Sequence, residues 1–399
     1  MTTRTSAWPA VLAVATATFT VVTSEMLPVG LLTPLAAALD VSEGTAGLTM
    51  TVPGLVAAVA APTVVRATRS LDRRRVLIAL TVLLAAANLV SALAPDIGVL
   101  LAARVLVGVS IGGVWAIAVP VTARLVAGPS AARANATVFS GIAVASVVGV
   151  PLGTWLGSLA DWRAGFVGGA VLAVATAVAL TVALPALPPT PHTAGSLRSA
   201  PGVWIGLFTV GALVAGHFAA YTYVRPLLEQ VGGLGAEAIG VLLLVYGLAG
   251  VAGNFLAGTR AAKSPNRTVL AIVVSLGTVL LVTPFLAHGL VGSTAVLIAW
   301  GLAYGGVSVG MQVWLFAIAP GARETVSALY AAVFNTAIAS GAFVGGLAAD
   351  AVSVPGAVWL GAGLVAVALV TAATAVSRRR SPAARTPAAL PDAPDRVRL

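Results

Sequence analysis

Twelve times along the chain an apolar stretch runs long enough to cross a bilayer, and that recurrence restricts the fold more than any single motif. The stretches lie at 10–36, 45–65, 76–94, 97–121, 134–159 and 165–187, then at 202–224, 236–257, 268–287, 290–319, 325–348 and 356–376. About 20 mostly apolar residues suffice for a helix to span the hydrocarbon core. A spanning backbone has no water to bond to, so it must satisfy its own N–H and C=O groups. The expectation is an all-α membrane protein of twelve transmembrane helices. With 59% hydrophobic and 9% charged residues, the chain is too apolar for a soluble domain. The run behind Arg4 imitates a signal peptide, but it is long and many like it follow.

Cysteine is absent and the three histidines are scattered, so no disulfide, metal site or cofactor is expected. A formal charge of +10 raises the question of nucleic acid. Its distribution answers with topology instead. With both termini in the cytoplasm, all but three of the 22 basic residues fall in inside segments, the exceptions being Arg163, Arg225 and the intrahelical Arg104. The positive-inside rule therefore orients the chain, with no nucleic-acid partner implied. The divisions expected are an N-terminal bundle over 1–187, a cytoplasmic connector over 188–201, a C-terminal bundle over 202–376 and a tail over 377–399. The tail is rich in Arg, Pro and Ala and is read as a disordered cytoplasmic end whose arginines can touch anionic lipid.

The halves repeat weakly. GTWLGSLAD at 153–161 matches GAFVGGLAAD at 341–350 with one residue inserted, and the basic loops at 66–75 and 259–267 correspond. Paired six-helix halves with a site at their midplane are a common transporter plan.

Glu25 lies inside the apolar run 16–34. A charge at a helix centre is costly in lipid, so such a residue is a functional candidate by default. At 1.5 Å per residue Glu25 lies about 14 Å, and Arg104 about 8–10 Å, below the outer ends of their helices. The two are thus close enough in depth to interact, and Arg104 has a structural alternative as an anchor bonded to backbone carbonyls. Gly141, Ala145, Gly149, Gly153 and Gly157 share one face of the fifth helix. That face permits close helix approach and is expected to pack against the other half, with Pro151 able to bend the helix. His217 is read as a hydrogen-bonded structural histidine or, alternatively, a group that titrates near neutrality.

Several stretches together resemble the major facilitator superfamily, in its twelve-helix drug:proton antiporter branch of sugar-efflux, purine-nucleoside-efflux and chloramphenicol-exporter-like proteins. They are SEMLPVGLLTPLAAALDVS at 24–42, the R-x-x-x-G element from Arg104 to Gly108, GVPLGTWLG at 149–157, DWRAGF at 161–166 and HFAAYTYVRPLLE at 217–229. The loop after the second helix departs from the family pattern, keeping only SLDRRR. The resemblance implies two pseudo-symmetric six-helix bundles, the major facilitator fold. It places helices 1 and 4 around the N-terminal part of the cavity, with Glu25 and Arg104 as proton-coupling residues. It makes Gly149, Pro151, Gly153 and Gly157 an antiporter-like motif. Tyr221, Tyr223, Tyr304, Gln312 and Trp314, on cavity helices, become candidates for substrate contact. Asp72 and Arg73 become a cytoplasmic latch, or else a plain topology signal.

The expected function is export of a small organic molecule (drug, sugar or nucleoside-like) in exchange for protons, by a monomer in a bacterial-type cell membrane with both termini cytoplasmic. An uptake symporter and a non-transporting sensor are the alternatives. An enzyme would need convergent acid, base, nucleophile or metal groups, and no HExxH occurs.

Overall fold

The computed structural model describes residues 7–126, 130–159, 161–189, 201–319 and 323–380. Among these, fourteen α-helices and no strands are found: α1 Trp8–Ala38, α2 Glu43–Ala67, α3 Arg73–Ala92, α4 Ile97–Leu125, α5 Ala131–Leu159, α6 Trp162–Ala183, α7 Pro201–Tyr221, α8 Val224–Gln230, α9 Ala236–Lys263, α10 Pro265–Leu286, α11 Gly289–Gly305, α12 Val307–Ile318, α13 Arg323–Ala351 and α14 Val354–Arg380. Most of the expected connector and the tail beyond Arg380 lie outside the described residues. Helix α14 itself runs past residue 376, where the last apolar stretch was expected to end.

Two expected spans are each split in two. The seventh pass breaks at Thr222 and Tyr223 and continues as α8 to Gln230 rather than ending at 224. Pro226 has no N–H to give to the carbonyl of Thr222, which loosens the ladder there. The tenth pass divides into α11 and α12 at Gly306, beside Gly305, and two adjacent glycines hold a helix weakly. Counting each broken pair once gives twelve passes.

Polar residues start several helices at the loops. Ser42 accepts from the Thr45 amide at 3.0 Å, Asp72 from Arg74 at 2.8 Å and Asp96 from Val99 at 3.0 Å. Asp40, between α1 and α2, has φ +53°, a left-handed conformation that aspartate tolerates in tight turns.

The packing repeats itself. In the first half α1 packs on α5 and α6, α2 on α4, and α3 on α6; in the second, α7 packs on α13 and α14, α9 on α11, and α10 on α14. Between halves, α2 meets α13 and α5 meets α9, the same contact made twice. Helix α1 is the most enclosed of the described spans, 83% buried, and its counterpart α7 is 67% buried, whereas α9 and α10 bury only 33% and carry exposed apolar faces.

The two halves close on each other at the end of the molecule away from the termini, here called the far end. Ser42 Oγ donates to Asp350 at 2.6 Å, and the Gly44 amide donates to the same carboxylate at 2.9 Å. Gln230 Nε2 donates to Glu43 at 3.1 Å, and the Arg225 guanidinium bonds the Gly30 carbonyl while pairing with Glu229 at 2.9 Å. Among the described residues, the hydrogen bonds that join the halves all lie in this far half.

Candidate functional site

Because α1 is enclosed, side chains on all its faces meet protein. Glu25, near its middle, is 3% exposed, and its Oε1 has no hydrogen-bond partner. Arg104, fully buried on α4, directs its donors at main-chain oxygens: Nε to Thr49 at 3.0 Å, Nη1 to Ser24 at 3.0 Å and Nη2 to Glu25 at 3.2 Å. The structure thus brings Arg104 and Glu25 together through the Glu25 carbonyl, and the two side chains form no ion pair. The guanidinium ties α4 to α1 and α2 at one depth. Asn88 of α3 adds a bond from Nδ2 to Ser24 Oγ at 3.0 Å, and its own Oδ1 is left unpartnered.

Facing this from the second half is a cluster of rings on α7, α9 and α11. His217 stacks on Tyr304 with ring centres 3.4 Å apart and planes 7° apart, and on Tyr221 at 5.1 Å and 19°. Tyr221 stacks in turn on Tyr246 at 4.8 Å, while Phe218 and Trp300 meet the stack edge-on. Trp300 Nε1 donates to His217 Nδ1 at 3.1 Å, and His217 Nε2 is buried without a partner. Tyr304 is half-buried and lies within electrostatic range of Glu25. Glu25, His217 and Tyr304 each sit near the midpoint of their pass, so they share a level. A buried polar atom left unpaired costs about 1–3 kcal/mol, and Glu25 Oε1 and His217 Nε2 are two such atoms at this level.

The other sequence candidates separate from this centre. Tyr221 and Tyr304 belong to the cluster. Tyr223 does not: it is buried at the far end, where its hydroxyl donates to the Ala342 carbonyl at 2.9 Å and its ring faces Gly47 and Gly346. Trp314 is fully buried, with Nε1 on Asn266 Oδ1 at 2.9 Å, and packs beside Gly206. Gln312 reaches Ser327 Oγ at 3.5 Å.

Asp72 caps α3 and accepts from the Leu187 amide at 3.0 and 3.1 Å, while Arg73 bonds Thr68 Oγ1 at 3.1 Å. These contacts stay within the first half, tying the α2–α3 loop to the chain after α6.

The glycine face of α5 corrects an expectation. Gly141, Gly149, Gly153 and Gly157 meet Ala15, Thr23, Leu27 and Leu31 of α1, within their own half and not against the other. The α5 surface that does meet the second half carries Val147 and Thr154, opposite Gly247 and Gly240 of α9. Helix α5 runs unbroken through Pro151. In the second half Gly341 and Gly345 meet Ala215 and Ala219 of α7, so the repeated sequence stretches make equivalent contacts.

Sequence reasoning passed over Asp350, Glu43 and Arg225, which hold the far end shut, and Trp300, which partners His217. Asp350 had a signal, since it closes the second copy of the repeat. Trp300 had none, because tryptophans in apolar stretches are ordinary.

The sequence profile of the Major Facilitator Superfamily matches residues 14–335 and, in a second placement, 233–398. The purine ribonucleoside efflux pump NepI of Salmonella paratyphi A is 33% identical over 371 residues, covering 92% of this chain and 94% of the pump. NepI of Escherichia coli K12 is 31% identical over 378 residues, with 94% and 96% covered. The transcription regulatory protein OpdE of Pseudomonas aeruginosa is 33% identical over 355 residues, with 87% and 88% covered. Among solved structures, a bacterial homolog of the human lysosomal transporter Spinster, inward-facing and occupied, superposes with a TM-score of 0.74 at 16% identity over 93% of this chain and 96% of that one.

Proposed function

Because the chain belongs to the Major Facilitator Superfamily, a family of multi-pass membrane transporters, we propose that it exports a purine-nucleoside-like molecule in exchange for protons, by alternating access. The substrate class follows the NepI relatives, which match over nearly their whole length. The observation that carries proton coupling is the unpartnered Glu25 Oε1, buried near the middle of its pass. A proton satisfies that oxygen when it arrives, and so does an N–H or O–H of a substrate. One site offered to two ligands in turn is the requirement for exchange, since each ligand shifts the populations of the two facing states by its differential affinity.

Arg104 supports this by position. Bonded to the carbonyls of Ser24 and Glu25, it holds the α1 backbone at the site and keeps a positive charge near the carboxyl without forming an ion pair with it. With the termini placed in a bacterial cytoplasm by the positive-inside rule, the closed far end faces outward and the arrangement is inward-facing. Tyr223, Asp350 and Arg225 then belong to the outer gate. The protein works as a monomer, with lipid around the exposed helix faces.

The test is proton movement in proteoliposomes loaded with purine ribonucleosides, with wild type and Glu25→Gln side by side. Nucleoside efflux driving protons the other way, lost in Glu25→Gln while nucleoside still binds, supports the reading. Movement of both in one direction makes the protein an uptake symporter. No flux with any solute favours the non-transporting sensor.

A further inference from the structure

The ring cluster contains a donor whose purpose the fold does not supply. Trp300 Nε1–H can only donate, and it donates to His217 Nδ1 at 3.1 Å. Nδ1 is therefore the acceptor of the imidazole, and the ring hydrogen sits on Nε2. That nitrogen points away from Trp300, is buried and has no partner. The ring cannot easily turn to find one, because Tyr304 and Tyr221 are stacked against it and Phe218 and Trp300 meet it edge-on. An N–H held in a fixed tautomer, in a fixed plane, among flat aromatic faces is suited to a flat ligand that accepts a hydrogen bond in its own plane. A sugar hydroxyl would need no such coplanar setting.

We infer that His217 is a specificity-determining residue of the transport site: its Nε2–H bonds an in-plane ring nitrogen of a heteroaromatic base, and Trp300 is the positioning residue that sets the tautomer. The base shares its level with Glu25, whose unpartnered Oε1 takes a donor of the same ligand. Tyr304, the member of the stack with exposed surface, is the face the base meets first. A donor and an acceptor left free at one level beside an aromatic stack match a purine, whose edge carries both. The inference rests on the nucleoside reading above and adds to it which atom of the base is recognised.

The experiment uses the full-length protein and adenosine, whose base accepts only through N1, N3 and N7. Binding of tritiated adenosine is competed with 1-deaza-, 3-deaza- and 7-deazaadenosine, each of which replaces one ring nitrogen by C–H. Wild type is expected to bind one of the three about tenfold or more weakly than adenosine, the size of one lost hydrogen bond, and the other two within a few-fold. In His217→Phe, which keeps a ring for stacking, adenosine falls to the level of that weak analogue and the discrimination disappears. Trp300→Phe, which frees the tautomer, narrows the discrimination while His217 remains. Equal binding of all four ligands by wild type overturns the inference without any variant, and so does His217→Phe that still discriminates. Failure of wild type to bind adenosine at all is a different result, and it overturns the nucleoside reading together with this one.

Discussion

Arg104 and Glu25 illustrate how a charge is tolerated at mid-membrane. The guanidinium meets three main-chain carbonyls on two neighbouring helices, which satisfies its donors without consuming the carboxylate. Replacing Arg104 with Ala removes three charge-assisted bonds and opens a void, and is expected to destabilise the protein by about 3 kcal/mol or more. Lys in its place has a single nitrogen to share among carbonyls that a planar fork meets at once, so Arg104→Lys falls between the two. Thermal melting of the purified variants in detergent checks the order, and Arg104→Ala as stable as wild type would remove the anchoring role. The sequence exposed both charges because they interrupt apolar stretches. It could not show that their contact runs through the Glu25 carbonyl, since which atom of a residue is met depends on helix rotation. His217 was visible too, but its unpartnered nitrogen exists only because Trp300, on another helix, occupies the first.

Helix pairs show a second distinction, between glycines that are required and glycines that are merely small. A methyl group added at Gly345 meets the backbone of Ala219, which cannot move aside, whereas one added at Gly157 meets the end of the flexible Leu31 side chain. Gly345→Ala is therefore expected to push α13 off α7 and cost about 1–3 kcal/mol, in the range of overpacked cores. Gly157→Ala is absorbed by a rotamer change. Parallel melting curves decide between them, and equal losses would show that both faces are equally tight. The repeat linking 153–161 with 341–350 was legible as spacing, and each copy does pack on the first helix of its half. Which copy tolerates a side chain was not legible, because it depends on whether backbone or a side-chain tip lies opposite. The break between α7 and α8 has a sequence cause in Pro226, yet the apolar run alone shows no interruption there.

For the molecule as a whole, the hydrogen bonds that join the two halves among the described residues gather at one end. The contact of α2 with α13 is narrow because Gly44, Gly47 and Gly54 line it and Tyr223 lies across it. Ser42 and Asp350, joined at 2.6 Å, mark its edge. The chain has no cysteine of its own, so the pair Ser42→Cys with Asp350→Cys can be introduced cleanly. Oxidation is expected to cross-link the halves and abolish transport, and reduction to restore it, while binding of substrate from the opposite end persists. Undiminished transport in the cross-linked protein would mean that the far end never has to open.

Number of passes, kinship of the two halves and the depth of Glu25 follow from the chain alone, because hydropathy, length and repeated spacing are local properties that lipid reads one segment at a time. Folding settled the rest. Whether a glycine face meets its own half or the other, whether Tyr223 lies in the ring cluster or at the far end, and which nitrogen of His217 stays unpartnered are matters of how helices rotate and lean on one another. A bilayer constrains each helix to cross, and only packing against neighbours sets which residues of different helices come to face each other.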